Sequence, residues 1–261
     1  MLLKVLKYDL KFTYKNLIIF YILSIFFALL GRLCGLFDSS IMMIISKINN
    51  GISISMTVSI LINNLMRVWA RLVLNFYKDE SYLTHTLPVK KSTLYLSKVL
   101  CGLITMLTST LVIALSLFIC YYSKENIELL KTSLNLVATL YNSSITSLSI
   151  QVFTLIFLEF TFILLTGYIG IILGHKSNNN KMLKTCLYGF LTYMASANII
   201  LLVIYICGLF NPNIMKLFTT NTFVLSTFKT VLLIAMITYT LLILIEYLLG
   251  LHEINKGVNI D

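Results

Sequence analysis

Apolar residues along this chain gather into six long runs, 17–36, 51–70, 99–122, 148–173, 185–210 and 228–250, separated by short polar stretches. A helix rising about 1.5 Å per residue needs roughly 17–25 residues to cross a hydrocarbon core. The pattern therefore predicts an all-α membrane protein with six transmembrane helices. Ahead of the first run, Lys4, Lys7, Lys11 and Lys15 recur at helical spacing, and Leu2, Leu3, Leu6 and Leu10 form the neighbouring face. That reads as an amphipathic helix over 1–16 lying in the membrane interface, lysines toward anionic head groups. The last connection, 211–227, mixes Pro212 with Phe218, Phe223, Val224 and Leu225. Such a segment can dip into the leaflet only where protein covers its backbone.

Composition sharpens this picture. With 58% hydrophobic and 11% charged residues and a mean hydropathy of +0.91, the chain lies far from soluble-domain usage. No polar stretch is long enough for a separate soluble domain, so 1–261 reads as one transmembrane domain. The five cysteines, Cys34, Cys101, Cys120, Cys186 and Cys207, lie in or beside apolar runs with no C-x-x-C pair. They read as small buried hydrophobes and not as a disulfide framework or a metal site. The first run lacks a small-residue cleavage site and reads as a retained span.

The net charge of +10 does not point to nucleic acid, because the basic residues follow membrane topology. With the N-terminus in the cytosol, the inner side holds the four N-terminal lysines together with Arg67, Arg71, Lys78, Lys90, Lys91, Lys98, Lys176, Lys181, Lys184 and Lys256. The outer side holds only Lys47, Lys124, Lys131, Lys216 and Lys229. This positive-inside bias predicts that both termini are cytosolic.

The longest polar insertion runs from Arg67 to Lys98. Trp69, Leu72, Leu74, Phe76 and Tyr77 predict that the second span continues as a helix beyond the membrane. Asp79, Glu80 and Ser81 suit the start of a short helix, where free backbone N–H groups favour acids and caps. Pro88 ends it, and Ser92 or Thr93 can cap the next helix.

Asp79-Glu80-x-Tyr82-Leu83-Thr84-x-Thr86-Leu87-Pro88-Val89, followed by Ser97-Lys98, resembles a motif of bacterial permeases of the type-2 ABC exporter family. The resemblance implies that the loop over 67–98 carries a coupling helix, Lys78, Asp79, Glu80, Ser81, Tyr82, Leu83, Thr84, His85, Thr86, Leu87 and Pro88, that docks on a separate ATPase. It further implies two copies of that cytosolic ABC ATPase binding ATP and Mg, a second permease copy or related permease, and a place in the bacterial cytoplasmic membrane. The chain has no G-x-x-x-x-G-K-[ST] phosphate loop of its own, so hydrolysis has to come from another polypeptide.

Polar groups within the spans are the remaining candidates. Glu159 falls near the middle of the fourth run, where a charge is costly and usually faces protein or a water-filled path; Arg32 in the first run is a conceivable partner. Asn63 and Asn64 suit interhelical hydrogen bonding or a translocation path. Glu246 reads as reaching the inner interface, and Gly170 and Gly174 form a G-x-x-x-G step for close helix packing. His85, His175 and His252 are scattered, His252-Glu253 lacks the second histidine of H-E-x-x-H, and no G-x-S-x-G elbow is present, so an intramembrane enzyme is not indicated. The expectation is an exporter permease for a peptide, drug or lipid-like substrate, binding no cofactor itself; the alternative is a non-transporting sensor or immunity subunit on the same ATPase.

Overall fold

A computed structural model of the chain describes residues 1–86, 88–140, 144–177, 179–219 and 225–257. Among them are nine helices and no strand: α1 (Leu2–Cys34), α2 (Ser40–Phe76), α3 (Ser81–Thr86), α4 (Lys91–Tyr121), α5 (Lys124–Leu140), α6 (Ile145–His175), α7 (Lys181–Phe210), α8 (Pro212–Thr219) and α9 (Leu225–Lys256). Six of them, α1, α2, α4, α6, α7 and α9, are long and apolar enough to cross a membrane. The chain is a helical multi-pass membrane protein.

The single transmembrane domain read from the sequence contains two compact units, Met1–Glu128 and the residues from Leu129 onward. In the first unit α1, α2 and α4 pack on one another, with α3 against α2. Residues of α1 meet those of α4 at a nearly constant offset, as in Tyr21 with Ser109 and Ser24 with Ser116, so the two helices run parallel. Against them α2 runs antiparallel, Ser53 reaching the Ser24 carbonyl and Arg71 reaching Asp9. Length matters here. At about 1.5 Å per residue the 33-residue α1 and 37-residue α2 exceed a hydrocarbon core of ~30 Å. By the apolar runs the first turns of α1 and both ends of α2 are the surplus, and the start of α1 and the end of α2 stand at the same end of the bundle.

Three details differ from the sequence pattern. Residues 1–16 form no separate helix: α1 is one unbroken element, and Leu6, Asp9, Thr13 and Leu17 are its buried stripe. Residues 40–50, expected in a connection, instead begin α2, leaving only 35–39 between the first two spans. Helix α4 starts at Lys91, not after a Ser92 or Thr93 cap; the Lys90 carbonyl accepts from the Thr93 and Leu94 amides and closes its first turn.

The second unit packs α6 against α7 and α9, with α8 folded back on α7. Backbones of α6 and α7 touch. A Cβ at Gly170 would stand 2.8 Å from the Gly189 Cα, and one at Gly174 would stand 2.6 Å from the Thr185 backbone. The G-x-x-x-G step is thus a close-approach surface. Phe162, Ile200, Ile204, Leu242 and Ile214 of α8 form the apolar cluster beside it. Phe223 and Val224 of the connection after α8 lie outside the described residues.

Candidate functional site

At the end of the first unit where α1 and α4 begin and α2 finishes, five side chains from four segments close a ring. Asp9 Oδ1 accepts from Lys98 Nζ at 2.5 Å and from Arg71 Nε at 2.9 Å. Arg71 Nη1 donates to Glu80 Oε2 at 2.7 Å, and Asn75 Nδ2 donates to the same oxygen at 2.5 Å. Lys98 Nζ donates to Asn75 Oδ1 and completes the circuit. Ser97 Oγ holds the second Asp9 oxygen at 2.7 Å, and the Arg71 guanidinium lies 4.7 Å from the Phe12 ring centre.

The charges explain why these groups stay together. Two carboxylates and two cations cancel, which offsets a desolvation cost of several kcal/mol per buried ion. Asp9 and Lys98 are almost fully buried, Arg71 is 12% exposed, and Glu80 is 43% exposed. Glu80 is therefore the member that faces outward. It also immediately precedes α3, and its carbonyl accepts from the Thr84 amide and hydroxyl. The residue at the base of α3 is thus bonded to Arg71 and Asn75 of α2, which in turn bond Asp9 of α1 and Lys98 of α4.

Helix α3 has two faces. Ser81 and Thr84 point inward and are buried, whereas Tyr82 and Leu83 are 68% and 72% exposed. Lys78, Asp79, Thr86 and Pro88 are exposed beside them. Burial raises the Tyr77 phenol, just ahead of the turn, so it stays neutral as part of the support. His85 belongs to α3 by its backbone, its side chain lying outside the described residues, as does Leu87. The loop expected to carry a short helix between two long ones has that geometry.

Within the spans, a ladder of hydroxyl contacts joins α1 to α4: Thr13 with Cys101, Tyr14 with Thr108 at 2.8 Å, Tyr21 with Ser109 at 2.7 Å, and Ser24 with Ser116 at 2.9 Å. Asn64 Nδ2 donates to Ser109 Oγ at 2.8 Å and ties α2 into it, the interhelical role expected of it. Asn63 differs: its amide donates to the Ser59 carbonyl of its own helix. Arg32 donates through Nη1 to the Tyr122 and Ile119 carbonyls at 2.6 and 3.4 Å, a cation at the C-terminal end of α4.

In the second unit Glu159 is half-buried and accepts from the Tyr193 hydroxyl at 3.4 Å. Arg32 and Glu159 thus each find partners within their own unit. Glu246 overturns its reading as an interface residue. It is 3% exposed, and its carboxyl oxygens lie 3.2 Å from Thr166 Oγ1 and 3.4 Å from Ser196 Oγ. Sequence depth placed it near the end of α9, but α6 and α7 extend past it and cover it. At that end Glu253 instead takes the outward role, paired with Lys176 and with Lys256 at 3.1 Å.

Asp9 and Asn75 escaped the sequence reading, and so did the ring itself. A signal was present: at about 100° per residue, Asp9 lies on the opposite side of its helix from the lysine stripe. A lone acid facing away from four lysines marks a buried face. Among the described residues, no three His, Cys, Asp or Glu side chains gather as a metal cluster. Comparison with known families, curated proteins and solved structures finds no match for this chain.

Proposed function

We propose that this chain is the transmembrane permease subunit of an ATP-driven type-2 ABC exporter of the bacterial cytoplasmic membrane. The observation that carries the reading is α3, a six-residue helix slung between α2 and α4. It turns Tyr82 and Leu83 outward while Glu80 at its base is bonded into the ring joining three spans. An exposed apolar pair flanked by Lys78 and Asp79 suits the groove of a protein partner. The inward ring suits force transmission.

The positive-inside bias puts that end of the bundle, and both termini, in the cytosol. There the exposed lysines at 4, 7, 11 and 15 line the outer side of α1 and meet anionic head groups. Two ATPase copies with ATP and Mg supply the energy, and two permease copies form the path for a peptide, drug or lipid-like substrate. Closure of the ATPases presses α3, and Glu80 passes the displacement to Arg71 on α2, then through Asp9 to α1 and Lys98 on α4.

A second reading is a sensing or immunity subunit on the same ATPase, and the hydroxyl ladder bonded within the first unit favours it by tying α1 and α4 together along their length. Co-purification with a phosphate-loop ABC ATPase tests the shared part, and loss of that contact in α3 variants is the expected result. ATP-dependent redistribution of substrate in vesicles selects the exporter; unchanged distribution under hydrolysis selects the sensor.

A further inference from the structure

At the opposite end of the first unit, the last turns of α1, the early turns of α2 and the end of α4 border a cavity of about 220 Å³, lined by Gly31, Arg32, Ser46, Asn50, Cys120 and Tyr122 among others. A guanidinium carries five N–H donors in a planar fork. Both Arg32 bonds to α4 carbonyls leave from Nη1. The Nε–Nη2 edge, the one shaped for two-point binding of a phosphate or carboxylate, has no partner among the described residues. The Tyr122 ring, 4.9 Å from the guanidinium carbon, holds the plane in place. Asn50, which also lines the cavity, has its Oδ1 buried against Gly31 with no hydrogen-bond partner.

Depth identifies the source of the anion. Asp9 and Arg32 are about 35 Å apart along one unbroken helix at ~1.5 Å per residue, against a hydrocarbon core of ~30 Å. Arg32 lies about 6 Å inside the outer end of the first apolar run and bonds the carbonyl of Tyr122, the last residue of the third, so it stands within reach of the head groups. An open two-point donor edge in a polar cavity, within reach of the head groups, fits a lipid phosphate.

We propose that this cavity binds a phospholipid head group, its phosphate oxygens accepting from the Arg32 Nε–Nη2 edge and the rest of the head group packing beside Asn50 and Tyr122. This rests on the first unit's own geometry and stands whether or not the chain serves an exporter. The site anchors a lipid between α1, α2 and α4 at the end remote from α3.

Native mass spectrometry of the purified full chain, titrated with phosphatidylglycerol, reads the site directly. The wild type is expected to retain the lipid at least about tenfold more tightly than Arg32→Gln, the scale of a charge-assisted two-point contact. Asn50→Leu is expected to weaken retention too while leaving the α4 end capped by Arg32, so it carries the test if Arg32→Gln folds poorly. A diacylglycerol with the same acyl chains is expected not to bind, and millimolar inorganic phosphate is expected not to displace the lipid. Equal retention by all three proteins, or equal retention of the diacylglycerol, overturns the site; displacement by inorganic phosphate overturns its assignment to a lipid.

Discussion

Asp9 and Lys98, far apart in the chain, meet at 2.5 Å with side chains only 1% and 2% exposed. A buried pair of this kind contributes little net stability as a whole, because the desolvation cost roughly balances the attraction. Removing one member is different. Lys98 would lose the carboxylate bonded to it, and either a buried ammonium without that partner or loss of its proton costs stability.

Asp9→Ala is therefore expected to destabilise the first unit by about 3–5 kcal/mol, and Asp9→Leu with Lys98→Met to recover much of that loss, since no isolated charge then stays buried. Denaturant titration of the detergent-solubilised protein measures both. A double variant no more stable than Asp9→Ala contradicts the pair.

The ring also changes which substitutions test the docking face. Glu80→Lys breaks the bond to Arg71 and confuses lost docking with lost structure. Tyr82→Asp with Leu83→Asp alters only exposed side chains, and such surface changes cost within ~0.5 kcal/mol. This double variant is expected to retain its thermal midpoint and to lose co-purification with the ATPase. Undiminished ATPase recovery removes α3 from the interface.

Glycines on the facing helices of the second unit should respond oppositely. Gly174→Ala drives a methyl into the Thr185 backbone, 2.6 Å away, and is expected to cost about 1–3 kcal/mol through displaced helices. Gly189→Ala meets nothing nearer than 3.9 Å and is expected to be neutral or slightly stabilising, since alanine is the better helix former. Thermal midpoints of the two variants, side by side, decide it; equal losses would mean that α6 and α7 do not touch at Gly174.

Glu246 sits beside two hydroxyls with no cation bonded to it among the described residues. Glu246→Gln keeps the shape and a hydrogen-bonding carbonyl and is expected to stay within ~1 kcal/mol of wild type. Glu246→Lys puts an ammonium in the same apolar setting and is expected to prevent stable accumulation. Membrane yield and thermal midpoint report both effects, and a Gln variant as damaged as the Lys variant would require an ionised, paired Glu246.

Legibility followed the range of each interaction. The short helix before Pro88 was readable from polar residues at its start and a proline after its end, although Glu80, expected to favour its free amides, bonds Arg71 and Asn75, and Ser81 Oγ is buried without a partner. The close packing at Gly170 and Gly174 was readable from spacing alone. Asn64 and Asn63 were not separable in the sequence, since adjacent helical residues point about 100° apart and only the position of α4 shows which one meets Ser109.

The amino-acid order by itself determined six helices long and apolar enough to cross a membrane and the polar elbow between the second and third, because hydropathy over some twenty residues and the turn preferences of single residues act within one segment. Tertiary structure alone decided that Asp9 balances Arg71 and Lys98, that Glu80 at the base of α3 bonds Arg71 and Asn75 of α2, and that α6 and α7 enclose Glu246. Periodicity states which residues share a face. Which helix covers that face, and so which charges can be buried, depends on contacts between segments distant in the chain.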